Sequence, residues 1–215
     1  MTQRVLTILS RILSVICHPL FMPTYGILLF CASFSAHRGT LPTAYWLIAV
    51  FGTLTLTALI PLSVIIIQLV RGSVSSLEIR NAGERTSVYI YTLVCYLFWS
   101  YFLLNVLHAP AVLFVISLSA TVALLGVTLI NLKWKISAHL TGIGGLIGGL
   151  CGYCFHYAMY PPVGLVSGLL CLALLLMYAR LYINAHTPLQ VVTGLIYGLS
   201  FTFIPCVTYS FIVHV

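Results

Sequence analysis

Runs of about twenty apolar residues, separated by short polar turns, recur along almost the whole chain. A helix rises about 1.5 Å per residue and bilayer hydrocarbon is roughly 30 Å thick, so each run has the length of a membrane crossing. The pattern predicts spans over 20–36, 44–70, 87–106, 110–130, 139–157, 163–182 and 188–213, with turns at Arg38-Gly39, His108-Ala109-Pro110 and Tyr160-Pro161-Pro162. The 44–70 run is long and contains Pro61, which predicts a kink or a tilt. Before the first span, Arg4, Thr7, Arg11, Ser14 and His18 recur at steps of three and four, opposite Val5, Leu6, Ile8, Leu9, Leu13 and Ile16. That spacing predicts an interfacial amphipathic helix over 1–17; Arg4 and Arg11 break the apolar run that a cleavable signal would need. The expected fold class is all-α: a polytopic transmembrane helical bundle of six or seven spans plus the interfacial helix, with 18–215 as a single membrane domain.

Composition sharpens this picture. Hydrophobic residues make up 61% of the 215 and charged residues only 5%, against roughly 25% charged in a soluble domain. Nine Lys and Arg face two acids, Glu78 and Glu84, and there is no Asp. Mechanisms built on paired carboxylates or carboxylate-bridged metals therefore have almost nothing to draw on. The seven cysteines all lie in apolar stretches and read as small buried hydrophobes. Cys151-x-x-Cys154 with His156 lacks a fourth ligand nearby, so no metal is expected.

Because consecutive spans alternate direction, the chain's start and the loops at 71–86, 131–138 and 183–187 fall on one face. Every charge except Arg38 belongs to that face. Insertion bias accounts for Arg4, Arg11, Arg71 and Lys133. It accounts less well for Arg180, at the end of an apolar span beside Tyr178 and Tyr182, where charge is costly and usually functional.

From Arg180 the chain reads ARLYINAHTPLQ, placing His186 and Gln190 four apart at the start of the last helix, on one face. The Gln190 amide oxygen is placed to hold a neutral His186 imidazole in one tautomer. Before the fifth span, KWKISAHLTGIGG supplies Lys133, Lys135, Ser137 and His139 at a helix start, where unpaired N–H groups favour an anion. The loop LEIRNAGERTSVY adds Arg80 and Arg85. Cations, a hydroxyl and two histidines are the inventory of a phosphate pocket with a nucleophile and an acid. His18 lies on the same face, whereas His37, His108, His156 and His214 fall on the sparse face. Gly144-x-x-x-Gly148-x-x-x-Gly152 and Gly145-x-x-x-Gly149 predict close helix packing.

Over residues 78–195 the sequence resembles the type 2 phosphatidic acid phosphatase superfamily, membrane-embedded histidine phosphatases that act on lipid phosphates. That family carries Lys-x6-Arg-Pro, Pro-Ser-Gly-His and Ser-Arg-x5-His-x3-Asp on one membrane face. Arg180 and His186 keep the third spacing, with Ala179 for Ser and Gln190 for Asp. Ser137 and His139 keep the second, with Ala138 for Gly. In the first, Arg85 matches the Arg, Thr86 replaces the Pro and Glu78 stands where the Lys belongs.

The resemblance implies a metal-independent hydrolase of a lipid phosphate or diphosphate. His186 would take the phosphoryl group, His139 would protonate the leaving alkoxide, and Arg85, Arg180 and Ser137 would bind phosphoryl oxygens. Arg80 or Lys135 would replace the missing cation. It implies no cofactor and no nucleic acid; the partners would be membrane lipids and the lipid phosphate itself. Gln190 supplies the orientation of the missing carboxylate without its charge, which keeps a second class open: a silent lipid-phosphate binder or transporter of the same fold. A haem protein with paired histidines is the third. Charge bias places the busy face in the cytoplasm, whereas most bacterial relatives in that family work on the outer side of the inner membrane; the sequence leaves both open.

Overall fold

The computed structural model describes residues 2–33, 42–74 and 82–213. Among them every regular element is helical: α1 (Thr2–Ile16), a 3-10 turn (Pro19–Phe21), α2 (Met22–Ser33), α3 (Thr43–Leu54), a π turn (Thr55–Leu59), α4 (Ile60–Val70), α5 (Ala82–Asn105), α6 (Ala111–Asn131), α7 (Ala138–His156), α8 (Val163–Tyr182) and α9 (Pro188–Val213). By length and composition, seven segments qualify as membrane crossings: Gln3–Cys31, Thr43–Val70, Gly83–Asn105, Ala111–Asn131, Ala138–His156, Val163–Tyr182 and Pro188–Val213. Their outer faces are apolar, with Leu174, Leu175, Ile196, Ile204 and Phe211 all exposed. Water would not tolerate such a surface and lipid does, so the chain is an integral membrane protein.

The interior is built from apolar side chains such as Leu140, Ile143 and Leu150, with hydroxyls set among them. Thr53, Thr57, Thr92, Ser119, Thr128, Thr202 and Ser210 are buried. Most of these hydroxyls donate to the carbonyl four residues earlier, as Thr53 does to Ala49 at 2.6 Å and Ser210 to Cys206 at 2.7 Å, so they enter the interior already satisfied.

The chain divides into two compact units, 1–22 with 135–215, and 23–134. In the second, Ser100 Oγ lies 2.7 Å from Ser117 Oγ and Asn131 Nδ2 donates to Thr86 Oγ1 at 3.1 Å, so α5 and α6 run antiparallel. Pro61 does not break the long second run. The helix widens into the π turn just before it, with Ile60 N–H reaching back to the Thr55 carbonyl, which accommodates the ring and the missing donor. α5 begins five residues before the span predicted at 87. Glu84 falls in its first turn, where an acid complements the helix dipole, so Arg85 is helical rather than in a loop. The described charges of this unit, Arg71, Glu84, Arg85 and Lys133, lie at one end of α4, α5 and α6.

In the first unit α7 and α9 are parallel and unusually close. A Cβ at Gly144 would meet the Leu195 carbonyl, one at Gly148 the Leu199 carbonyl, and one at Gly152 the Cys206 side chain. The glycine stripe is thus a backbone-to-backbone interface, as its spacing predicted. A methyl group at Gly198 would strike the Thr141 carbonyl, which cannot turn aside. Gly198→Ala is expected to cost about 1–3 kcal/mol and lower the melting temperature in detergent, while Gly168→Ala, with nothing within 4 Å, leaves it unchanged.

α1 packs on α8 in the same unit. Ser10 and Ser14 are buried, while Arg4 and Arg11 are exposed, as are Val5, Ile8, Leu9 and Ile12. Ser14 Oγ donates to the Ser10 carbonyl at 2.8 Å, so that hydroxyl needs no water.

Candidate active site

Arg180 stands in the last turn of α8, where a cation suits the helix dipole. The helix stops one turn later on a left-handed residue, Asn184 at φ 53°, a conformation asparagine tolerates. Ala185 N–H donates to the Arg180 carbonyl and Asn184 N–H to the Leu181 carbonyl, both at 3.0 Å, closing the helix end. The next helix starts almost at once, with Thr187 before Pro188 in the first-turn position that proline favours. Gln190 folds back so that its Oε1 accepts the Thr187 N–H at 3.1 Å, one half of a capping box. The five-residue spacing from Arg180 to His186 is one helix stop and one helix start set end to end.

The same Oε1 lies 3.1 Å from His186 Nδ1. Because it already accepts from Thr187 N–H, that atom is the amide oxygen and not the nitrogen. Nδ1 must then be the donor, which leaves the Nε2 lone pair of the neutral ring unprotonated. His186 is held in the tautomer a nucleophile needs.

The start of α7 is tied to this segment twice. Ser137 N–H donates to the Gln190 carbonyl at 3.3 Å, and Lys135 Nζ donates to the Ala185 carbonyl at 2.8 Å. A Cβ at Gly194 would sit 2.7 Å from the Ser137 carbonyl, so that glycine lets the two helix starts approach. Ser137 is the N-cap residue of α7, yet its hydroxyl makes no cap bond. Its Oγ is fully buried and has no hydrogen-bond partner among the described residues. A buried hydroxyl beside the unpaired N–H groups of a first helical turn is a ready anion cradle.

His139, one residue into α7, places Nε2 at 3.1 Å from the Ser14 carbonyl. A carbonyl only accepts, so Nε2 carries the hydrogen. The ring of His18 meets it edge-on with centroids 5.4 Å apart. Arg180, only 7% exposed, is close enough to act electrostatically on both His18 and His139, and His186 acts on His139. One end of this unit therefore gathers Lys135, Ser137, His139, Arg180, His186 and Gln190, with His18 and Ser14 beside them.

Arg85 belongs to the other unit. It is 9% exposed, and its Nε makes no hydrogen bond among the described residues. Arg80 and Glu78 lie outside the described residues. Two contributions escaped the sequence reading. The T-x-x-Q capping signature from Thr187 to Gln190 was there to be read. The Ser14 carbonyl carried no side-chain signal at all. No family model, curated protein or solved structure matches the chain.

Proposed function

We propose that this is a lipid phosphate phosphatase of the type 2 phosphatidic acid phosphatase superfamily, working through a phosphohistidine in a bacterial cytoplasmic membrane. The observation that carries the reading is the Thr187–Gln190–His186 arrangement, which leaves His186 Nε2 unprotonated at the end of the unit that also holds the buried Arg180 and a Ser137 hydroxyl with no partner among the described residues. His186 Nε2 attacks phosphorus as the bond to the lipid oxygen breaks. His139, neutral at rest with its hydrogen on Nε2, takes a second proton at Nδ1 from solvent as the phosphate anion binds and gives it to the departing alkoxide. Arg180, Ser137 and the first-turn N–H groups of α7 neutralise the phosphoryl oxygens, a task that falls to cations and dipoles in any phosphoryl transfer. Water then attacks phosphorus and loses a proton to His139, the N–P bond breaks, and inorganic phosphate and neutral His186 remain. The lipid tail stays in the bilayer while its head group enters the charged end.

The test is a panel of lipid phosphates and diphosphates incubated with the purified protein in EDTA, following inorganic phosphate. Release that is lost in His186→Ala and in His139→Ala supports the enzyme. Ser137→Ala, which removes a hydrogen bond to a charged group, is expected to lower kcat/KM about 10–100-fold. A second reading, a lipid-phosphate binder without turnover, is favoured by one fact: the helix cap alone accounts for Gln190. Lipid phosphate bound tightly with no phosphate released from any panel member would establish it.

A further inference from the structure

Pro19 shapes more than the end of α1. It carries no N–H and forces the residue before it out of the helical region, and His18 is extended at ψ 136°. Cys17 N–H still reaches the Leu13 carbonyl at 2.8 Å, but His18 N–H turns to the Val15 carbonyl at 3.2 Å. The Ser14 carbonyl, whose helical partner would have been His18 N–H, loses it. His139 Nε2 takes that place at 3.1 Å.

The docking is built into the other side as well. Gly142 lies three residues after His139, on the same face of α7. A Cβ there would sit 3.3 Å from Pro19 Cα and 2.9 Å from Met22 Cγ, so only glycine admits the turn this closely without displacing it. His18 then presents its ring edge to His139, and its own Nδ1 accepts Leu20 N–H at 3.4 Å.

We propose that the Ser14–Met22 segment is a positioning element of the reaction centre: the Ser14 carbonyl freed by Pro19 fixes His139 as the Nε2–H tautomer, and His18 walls its ring. The assignment rests on the phosphatase reading for its chemical consequence. With Nε2–H engaged by a carbonyl throughout, Nδ1 is the nitrogen that carries the proton to the leaving alkoxide and recovers one from water. The N-terminal helix is then part of the catalytic apparatus and not merely a membrane anchor.

The experiment is ¹⁵N-histidine NMR of the full-length protein in detergent, with His139→Ala assigning the resonance, run beside phosphate-release kinetics. The wild type should show His139 with a protonated Nε2 and an unprotonated Nδ1. Gly142→Val, which pushes the turn away without touching His139, should give averaged tautomers and a kcat lowered about 10–100-fold with KM nearly unchanged, the range typical of losing an outer-shell partner. His18→Ala and the smaller Gly142→Ala, whose nearest contact is the flexible Met22 side chain, serve if Gly142→Val does not fold, and should move the tautomer in the same direction. A wild-type His139 carrying its proton on Nδ1, or a tautomer indifferent to all three variants, overturns the assignment. Turnover does not enter that decision: no phosphate release with His139 in the Nε2–H form would overturn the phosphatase reading and leave the positioning claim standing.

Discussion

His186→Ala should abolish phosphate release, a fall of about 10⁴-fold or more, while leaving the fold nearly as stable as before. His186 presents an unprotonated, tautomer-fixed Nε2, whereas the unprotonated nitrogen of His139 is the one that handles the leaving-group proton. Removing a nucleophile deletes the covalent route, leaving whatever the anion cradle gives to water alone. The hydrogen bond between His186 Nδ1 and Gln190 Oε1 is worth about 1 kcal/mol, and when it goes Gln190 keeps its bond to Thr187 N–H, so no buried group is orphaned on that side. A melting temperature within a few degrees of the parent, with activity gone, is the expected pair of results. Residual turnover near the parent rate would move the nucleophile elsewhere.

Gln190 should respond in opposite directions to two substitutions. Gln190→Glu keeps length and shape, so one carboxylate oxygen still accepts from Thr187 N–H and His186 Nδ1–H. It adds the negative charge that a phosphorylated imidazole lacks in the parent. Turnover is expected to rise about 10-fold, with a further ~0.5 kcal/mol of stability because an acid now sits in the first turn of α9. Gln190→Leu removes both bonds. In serine proteases, exchanging the orienting carboxylate for an amide costs about 10⁴, chiefly through the wrong tautomer. Here the parent amide already selects the right one, so its loss should cost a large part of that factor, about 10²–10³ in kcat, plus about 1 kcal/mol of helix capping. An unchanged kcat in Gln190→Leu would mean that the His186 tautomer is set by some other contact.

Much of the fold was legible because lipid imposes a simple code: length and apolarity fix the spans to within a few residues in α6, α7, α8 and α9. Where the expectation missed, a local polar rule had overridden it. Glu84 lets α5 begin at Ala82, although the run of apolar residues starts later. Pro61 reads as a kink or a tilt, and what the structure adds is the π turn just before it, a backbone adjustment that no side chain announces. In α1 the arginines stay exposed while Ser14 is buried with its hydroxyl bonded to its own backbone, a division that spacing alone does not announce.

The candidate site was legible as a spacing and not as a geometry. Arg180, His186 and Gln190 stand out along the chain, and the structure explains their separation by a left-handed stop at Asn184 and a proline start at Pro188. That Gln190 accepts two hydrogen bonds through one oxygen follows only from how the turn closes. Lys135 reads as a phosphate cation, and in the structure its ammonium donates to the Ala185 carbonyl, fastening the loop that carries His186. The glycines of α7 read as packing alone. The approach of the two helix starts at the site rests instead on Gly194 of α9, whose missing Cβ leaves room for the Ser137 carbonyl.

The most direct test of the account is to trap the intermediate. Purified protein is mixed with a radiolabelled lipid phosphate in EDTA, quenched in alkali, which preserves phosphohistidine, and the labelled peptide is sequenced by mass spectrometry. Label is expected on His186, absent in His186→Ala and accumulating in His139→Ala when substrates with good leaving groups are used. Phosphate released with no label on His186, or release that requires an added divalent metal, would contradict it.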